Sequence, residues 1–282
     1  MKSRSLLSLN LSVILFGMAG LFAKWILLPS LIITFGRVFF SSITLNTYRI
    51  LTKKKEYINK RDLGLLIALG MILAYHWWSF LSSIQLSSVA IGTVSYSTFP
   101  LFIMLIEYVF KHKKINKQEL IEALLVILGV MILSKGSIEG NYFKGLVIGL
   151  SSSMAYALLT LGNAELSKKY ESSCITCYEQ TTAMLSLLPL VLLTFDFTIT
   201  LNDILLLMIL GIFMTALAHT IFVNSLKDIH PTLAGIVSSL ESPYSILFAL
   251  VFLHEIPGTY EMMGSIIIIA AVFYSQIKVT RS

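Results

Sequence analysis
The residue in this 282-residue chain that most needs a chemical explanation is Glu241. It stands ten residues into an apolar stretch that opens at Pro231. At about 1.5 Å per helical residue it is roughly 15 Å deep, near the middle of a bilayer's hydrocarbon core. An ionisable side chain there costs a few kcal/mol or more and needs a partner or a purpose. Three uses fit: exchanging a proton, pairing as a carboxylate with a substrate ammonium, or bonding as a neutral acid to backbone carbonyls that Pro243 leaves unpaired. His76 and His219 come next, the first beside Tyr75, Trp77 and Trp78, the second among Thr215, Thr220 and Asn224. Helical spacing puts His76, Phe80 and Ser83 on one face, and Thr215, His219 and Phe222 on another. A neutral, hydrogen-bonded place in the core and a place lining a cavity both suit such histidines.

Arg37 lies about 9 Å from one end of its apolar stretch, and Glu179 about 10 Å from one end of its own. Both are gate or coupling candidates, with snorkelling to the interface as the plainer use. Trp77, Tyr96 and Tyr244 offer faces on which a substrate could stack, although packing and interfacial anchoring use the same side chains. Ser95 and Ser238 bring hydroxyls close to Pro100 and Pro243, the two prolines placed to break their helices. Gly145, Gly149, Ser153 and Ala157 recur every fourth residue, the pattern of a helix-helix contact. Cys174 and Cys177 have C-x-x-C spacing but no second ligand pair nearby, so they read as small residues at a helix end. No metal and no cofactor is expected.

Positioning these groups falls to membrane helices. Hydrophobic residues make up 56% of the chain and charged residues 13%, against about 25% in a soluble domain, which excludes a water-soluble enzyme. Apolar runs bounded by charge, Gly and Pro predict ten spans, near 6–27, 31–51, 62–83, 88–110, 118–135, 143–163, 172–194, 203–224, 231–253 and 260–278. The uncharged stretch from Ser5 to Ala23 suits a first span better than a cleaved leader. The net charge of +6 is explained by topology: 17 of the 21 Lys and Arg fall at the termini and in the connections between spans 2–3, 4–5, 6–7 and 8–9. Lys135 and Lys144 alone occupy the opposite face, so both termini are expected in the cytoplasm, with the chain in the cytoplasmic membrane.

Sliding the chain on itself by 143 residues superposes His76 on His219, Gly92 on Gly235, Ser95 on Ser238 and Pro100 on Pro243. Two five-span halves, 1–137 and 138–282, would insert with opposite orientation because five is odd. At this point the chain resembles the drug/metabolite transporter superfamily, and within it the EamA-type permeases. The resemblance is carried by Ser87-Ser88-Val89-Ala90-Ile91-Gly92, Phe99-Pro100-Leu101-Phe102, Leu240-Glu241-Ser242-Pro243, Leu253-His254-Glu255 and the Gly264 to Val272 segment. It implies an all-α protein of ten spans in two inverted repeats, moving small organic solutes through a cavity between the halves.

The expectation is therefore a secondary transporter, an exporter of an amino acid or similar metabolite, exchanging with protons and working as a monomer or homodimer. No G-x-x-x-x-G-K-[ST] motif provides for direct ATP drive, and nothing points to nucleic acid. Two other classes stay open: an intramembrane enzyme acting on a lipid-linked substrate with His76 or His219 as base, and a non-transporting membrane scaffold. The orientation is testable with single cysteines in a background lacking Cys174 and Cys177. At Asn59 or Asn116 they should resist an impermeant thiol reagent in intact cells, whereas one at Asn202 should react. Labelling of the first pair from outside would reverse the topology.

Overall fold
In hydrocarbon every backbone N–H and C=O has to be satisfied within its own segment, which favours helices. All regular secondary structure among the described residues of the computed structural model is helical. The structure describes every residue except 1, 54–55, 88–91, 93–94, 134–140, 195–197, 255 and 282, with backbone alone at 2, 20, 23–24, 133, 142, 253, 261 and 275–281. Lys54, Lys55, Lys135, Glu255 and residues 88–91 of the sequence reading, with the side chain of Lys24, lie outside the described residues.

In chain order the helices are α1 (Lys2–Trp25), α2 (Ser30–Leu51), α3 (Lys60–Leu86), α4 (Phe99–Lys111), α5 (Lys117–Leu133), α6 (Tyr142–Leu166), α7 (Ser172–Thr194), α8 (Leu201–Ser225), α9 (Pro231–Ser238), α10 (Glu241–Leu253) and α11 (Thr259–Arg281). Among the described residues four segments are long and apolar enough to cross a membrane by themselves: Lys60–Leu86, Phe143–Leu166, Leu201–Ser225 and Pro231–Phe252. Ser3–Ala19 and Met262–Tyr274 are shorter apolar helical stretches. Large apolar side chains such as Leu7, Leu124, Leu192, Phe213, Ile266 and Phe273 stand exposed on the outside, an arrangement that suits lipid rather than water. The chain is a multi-pass membrane protein.

Local chemistry sets the helix ends. At the start of α3 the Asn59 side chain accepts from the Asp62 backbone N–H and donates to the Asp62 carboxylate. At the start of α8, Thr200 and Asp203 form a reciprocal capping box. α9 stops at Ser238, Ser239 and Leu240 make a turn, and α10 restarts at Glu241. Pro100 is the second residue of α4 and Pro243 the third of α10, both in a first turn where proline's missing N–H leaves no bond unmade. α4 and α10 each end on a histidine in the left-handed region, His112 at φ 51° and His254 at φ 54°.

Lipid gives two apolar helices little reason to associate, so close packing has to come from small residues. α3 packs against α6 and α7, α2 against α7 and α8, α1 against α8 and α10, α4 against α6 and α9, and α5 against α11. The Gly149 position lies against Ser95 and Ser83, where a Cβ would stand 2.5 Å from Ser95 Cβ. On the polar side of the protein the Glu107 carboxylate is buried and bound by Lys113 Nζ at 2.6 Å and His230 Nε2 at 3.3 Å, tying the end of α4 to the residue that precedes α9. Gly70 is the tightest crossing of α3 with α7: an added Cβ would meet Thr182 Cβ at 2.6 Å and the Glu179 carbonyl oxygen at 2.7 Å. Gly70→Val is expected to cost about 1–3 kcal/mol by overpacking. The expected readout is a lower melting temperature of the purified protein in detergent. Gly64→Ala, with nothing within 4 Å of the new atom, should not lower it.

Candidate functional site
Arg37 is the centre from which the site is best built. Its helix α2 meets α8 closely because Gly36 faces Leu207 and Gly211 faces Phe40 and the Arg37 carbonyl. α8 is α-helical from Leu201 to Gly211, widens to a π-helix over Ile212–Leu217, and resumes as α-helix from Ala218. Such widened turns are uncommon and concentrate at functional sites. Within this one, Thr215 donates its hydroxyl to the Leu210 carbonyl five residues back and accepts from Arg37 Nε at 3.0 Å. The guanidinium lies 4.0 Å from the centre of the Trp77 ring on α3, a cation-π contact. Arg37 is 8% exposed, and a permanently charged group so enclosed needs these partners.

His76, next to Trp77, turns the other way. Ser152 on α6 donates its hydroxyl to the His76 carbonyl at 2.8 Å, which commits its one proton. His76 Nδ1 lies 2.9 Å from that hydroxyl oxygen and 3.1 Å from the Ser152 carbonyl, so Nδ1 must be the nitrogen carrying hydrogen. The imidazole stacks on Tyr156 at 4.5 Å. From there Tyr96, Phe99, Tyr156 and Phe222 form a continuous aromatic wall with neighbouring ring centres 4.8 to 6.0 Å apart. Its far end is His219, stacked on Phe222 and edge-on to Trp77 at 5.9 Å. His219 Nε2 meets Glu179 Oε2 of α7 at 3.0 Å, with both side chains fully buried.

Glu241, the first residue of α10, is half-buried, and its carboxylate makes no hydrogen bond or ion pair among the described residues. It lies within electrostatic reach of Arg37, Tyr96 and Tyr156 without touching Arg37 as a salt bridge. The exposed N–H groups at the start of α10 favour a negative charge at this position. Arg37 and Glu241 thus belong to one cluster and interact electrostatically, but no ion pair joins them among the described residues.

The structure brings together seven of the residues singled out in the sequence: Arg37, His76, Trp77, Tyr96, Glu179, His219 and Glu241. Tyr244 is elsewhere, its Cβ against Gly17 and its side chain lining a lateral groove of about 450 Å³ with Pro243 and residues of α1 and α11. Ser238 gives its hydroxyl to the Ala234 carbonyl of its own helix, and Ser95 packs against Gly149. Pro100 packs against Gly235 of α9. Cys174 and Cys177 are free thiols. Among the described residues no cluster of three His, Cys, Asp or Glu is arranged to hold a metal. Tyr156, Ser152 and the Arg37–Thr215 bond were not anticipated. The only signal for the first two is the run Ser151-Ser152-Ser153 and a tyrosine one turn on in an apolar stretch.

Ionisable side chains gathered between membrane helices mark a candidate functional site. The chain matches the EamA-like transporter family twice, over residues 3–135 and 143–276, and belongs to that family. It is 22% identical over 284 residues to an uncharacterized transporter of Bacillus subtilis (strain 168), YxxF, covering 98% of this chain and 91% of that one. It is 21% identical over 236 residues to the pseudopaline exporter CntI of Pseudomonas aeruginosa, covering 83% of each. A solved crystal structure shares the fold with a TM-score of 0.80, covering 100% of this chain and 99% of the other at 16% identity.

Proposed function
We propose that the chain is a secondary active transporter that exports a small organic metabolite such as an amino acid, by alternating access and with proton coupling. The observation that carries this reading is one cluster that holds buried Arg37 on Trp77, the stacked rings of His76, Tyr156 and Tyr96, and Glu241 within electrostatic reach of Arg37 but with no ion pair to it among the described residues. A substrate bearing both a carboxylate and an ammonium gives each charge the contact it lacks. The carboxylate end would meet the guanidinium, which offers a planar fork. The ammonium end would meet Glu241. Export is favoured by the relative described as a pseudopaline exporter.

Alternating access needs two half-structures that can rock against one another. In this reading residues 1–137 and 138–282 are inverted repeats of five spans each, with both termini cytoplasmic. Each half matches the family once, and the helix partnerships come in mirrored sets. α3 on α6 corresponds to α8 on α1, α3 on α7 to α8 on α2, and α4 on α6 to α10 on α1, while α2 with α7 and α5 with α11 pair mates directly. The left-handed histidine ends of α4 and α10 repeat in the same way. Broken spans at the centre give half-helix ends that can meet ions of the substrate.

A thermal-shift screen of the purified protein tests the substrate class. Amino acids should raise its melting temperature, by about 2.7 kcal/mol of added stability at a hundredfold excess over Kd, whereas simple amines and simple carboxylates should not. Glu241→Gln keeps the shape and fixes the charge at zero. It should remove the shift and, in liposomes, abolish amino-acid accumulation driven by a pH gradient. A Glu241→Gln protein that is stabilised and accumulates like the parent would make Glu241 structural.

A further inference from the structure
We propose that Glu179 and His219 form a proton-binding site of their own, distinct from the substrate-facing charges Arg37 and Glu241. Glu179 is 0% and His219 1% exposed, and Nε2 lies 3.0 Å from Oε2, so a single hydrogen is shared between imidazole and carboxyl group. The second carboxylate oxygen, Oε1, is buried without a hydrogen-bond partner among the described residues. A proton arriving from water converts neutral imidazole plus carboxylate, net charge −1, into a protonated pair of net charge 0. It leaves by the reverse step. A buried pair that alternates between −1 and 0 is a one-proton store.

The titratable and aromatic groups of the cluster that holds this pair come from other helices. α2 presents Arg37, α3 presents His76 and the Trp77 indole, α6 presents Tyr156, and α10 presents Glu241. α1, which also packs on α8, presents Phe16 against Phe222. The Trp77 ring touches Arg37 on one side and His219 on another, and Thr215, bonded to Arg37 Nε, stands one turn before His219 on α8. Losing the proton therefore leaves an unbalanced negative charge close to the guanidinium that the substrate carboxylate would use, and the two sites must influence each other reciprocally. This use of the site rests on the transport reading above, but the proton site itself can be tested without it.

The test is a histidine NMR titration of the full-length protein in detergent between about pH 5 and pH 9, in an H112Q/H230Q/H254Q background that leaves only the two buried imidazoles. One imidazole should titrate, H219Q should remove its signal, and Glu179→Gln should weaken its proton binding at least tenfold, a shift of its midpoint by about one pH unit or more to lower pH. Neither imidazole titrating would overturn the proposal, as would a titration that survives H219Q or that is unmoved by Glu179→Gln. If Glu179→Gln does not fold, Glu179→Asp, which shortens the stem and lengthens the contact, should shift the midpoint in the same direction, and an unmoved midpoint would again overturn it. In proteoliposomes given a radiolabelled mixture of amino acids, Glu179→Gln should lose the accumulation that a pH gradient adds. A parent protein that moves no amino acid defeats the transport reading while leaving the titration to decide the proton site.

Discussion
A guanidinium cannot shed its charge, so an arginine held between membrane helices has to be surrounded by structure that tolerates it. Arg37 imposes this constraint, and the centre of the protein is arranged around it. Its Nε requires an acceptor, which Thr215 supplies, and its face requires an electron-rich surface, which Trp77 supplies. Those two partners sit on different helices, so α2, α3 and α8 must converge at one level. Gly36 and Gly211 permit the approach, and the π-helical turn at Ile212–Leu217 gives Thr215 its place. A leucine at either glycine would push α8 away and leave the charge without its hydroxyl.

The same convergence explains the rest of the cluster. Once Trp77 lies over Arg37, its neighbour His76 points towards α6, where Ser152 and Tyr156 hold it. Once Thr215 is fixed, His219 one turn later faces α7 and finds Glu179. Glu241 completes the set from the start of α10, where the restart of the helix leaves N–H groups that favour a negative charge. The two carboxyl groups of the cluster thus have different circumstances: Glu179 is fully enclosed and bound to an imidazole, and Glu241 is half-buried and without an ion pair among the described residues. That difference is the physical basis for giving them different tasks.

The all-helical membrane architecture and most of the charged centre were legible in the sequence, because ionisable residues are rare in apolar stretches and each one stands out. Arg37, Glu179 and Glu241 were singled out on that ground, and His76 and His219 also by their matching places in the 143-residue offset. Their connections were not legible, since Arg37 and Thr215 are 178 residues apart and no local pattern links them. Tyr156 and Ser152 were hidden because α6 also carries the Gly145, Gly149, Ser153 stripe, and a stripe of small residues draws attention to its own face. Tyr244, three residues after Glu241, was read as a face on which a substrate could stack. Three residues of helix turn it about 300° around the axis, and it faces α1 and the lateral groove instead. The widened turn in α8 left no mark in the residue pattern, as Ile212–Leu217 is ordinary apolar sequence.

The claim that Arg37 and Glu241 bind a small zwitterion and carry it across is tested most directly by counterflow. Proteoliposomes are loaded with an unlabelled amino-acid mixture and diluted into a trace of the radiolabelled mixture, with no ion gradient present. The account predicts a transient inward overshoot of label with the parent protein and none with Arg37→Gln. No overshoot with the parent, or an equal overshoot with Arg37→Gln, would contradict it.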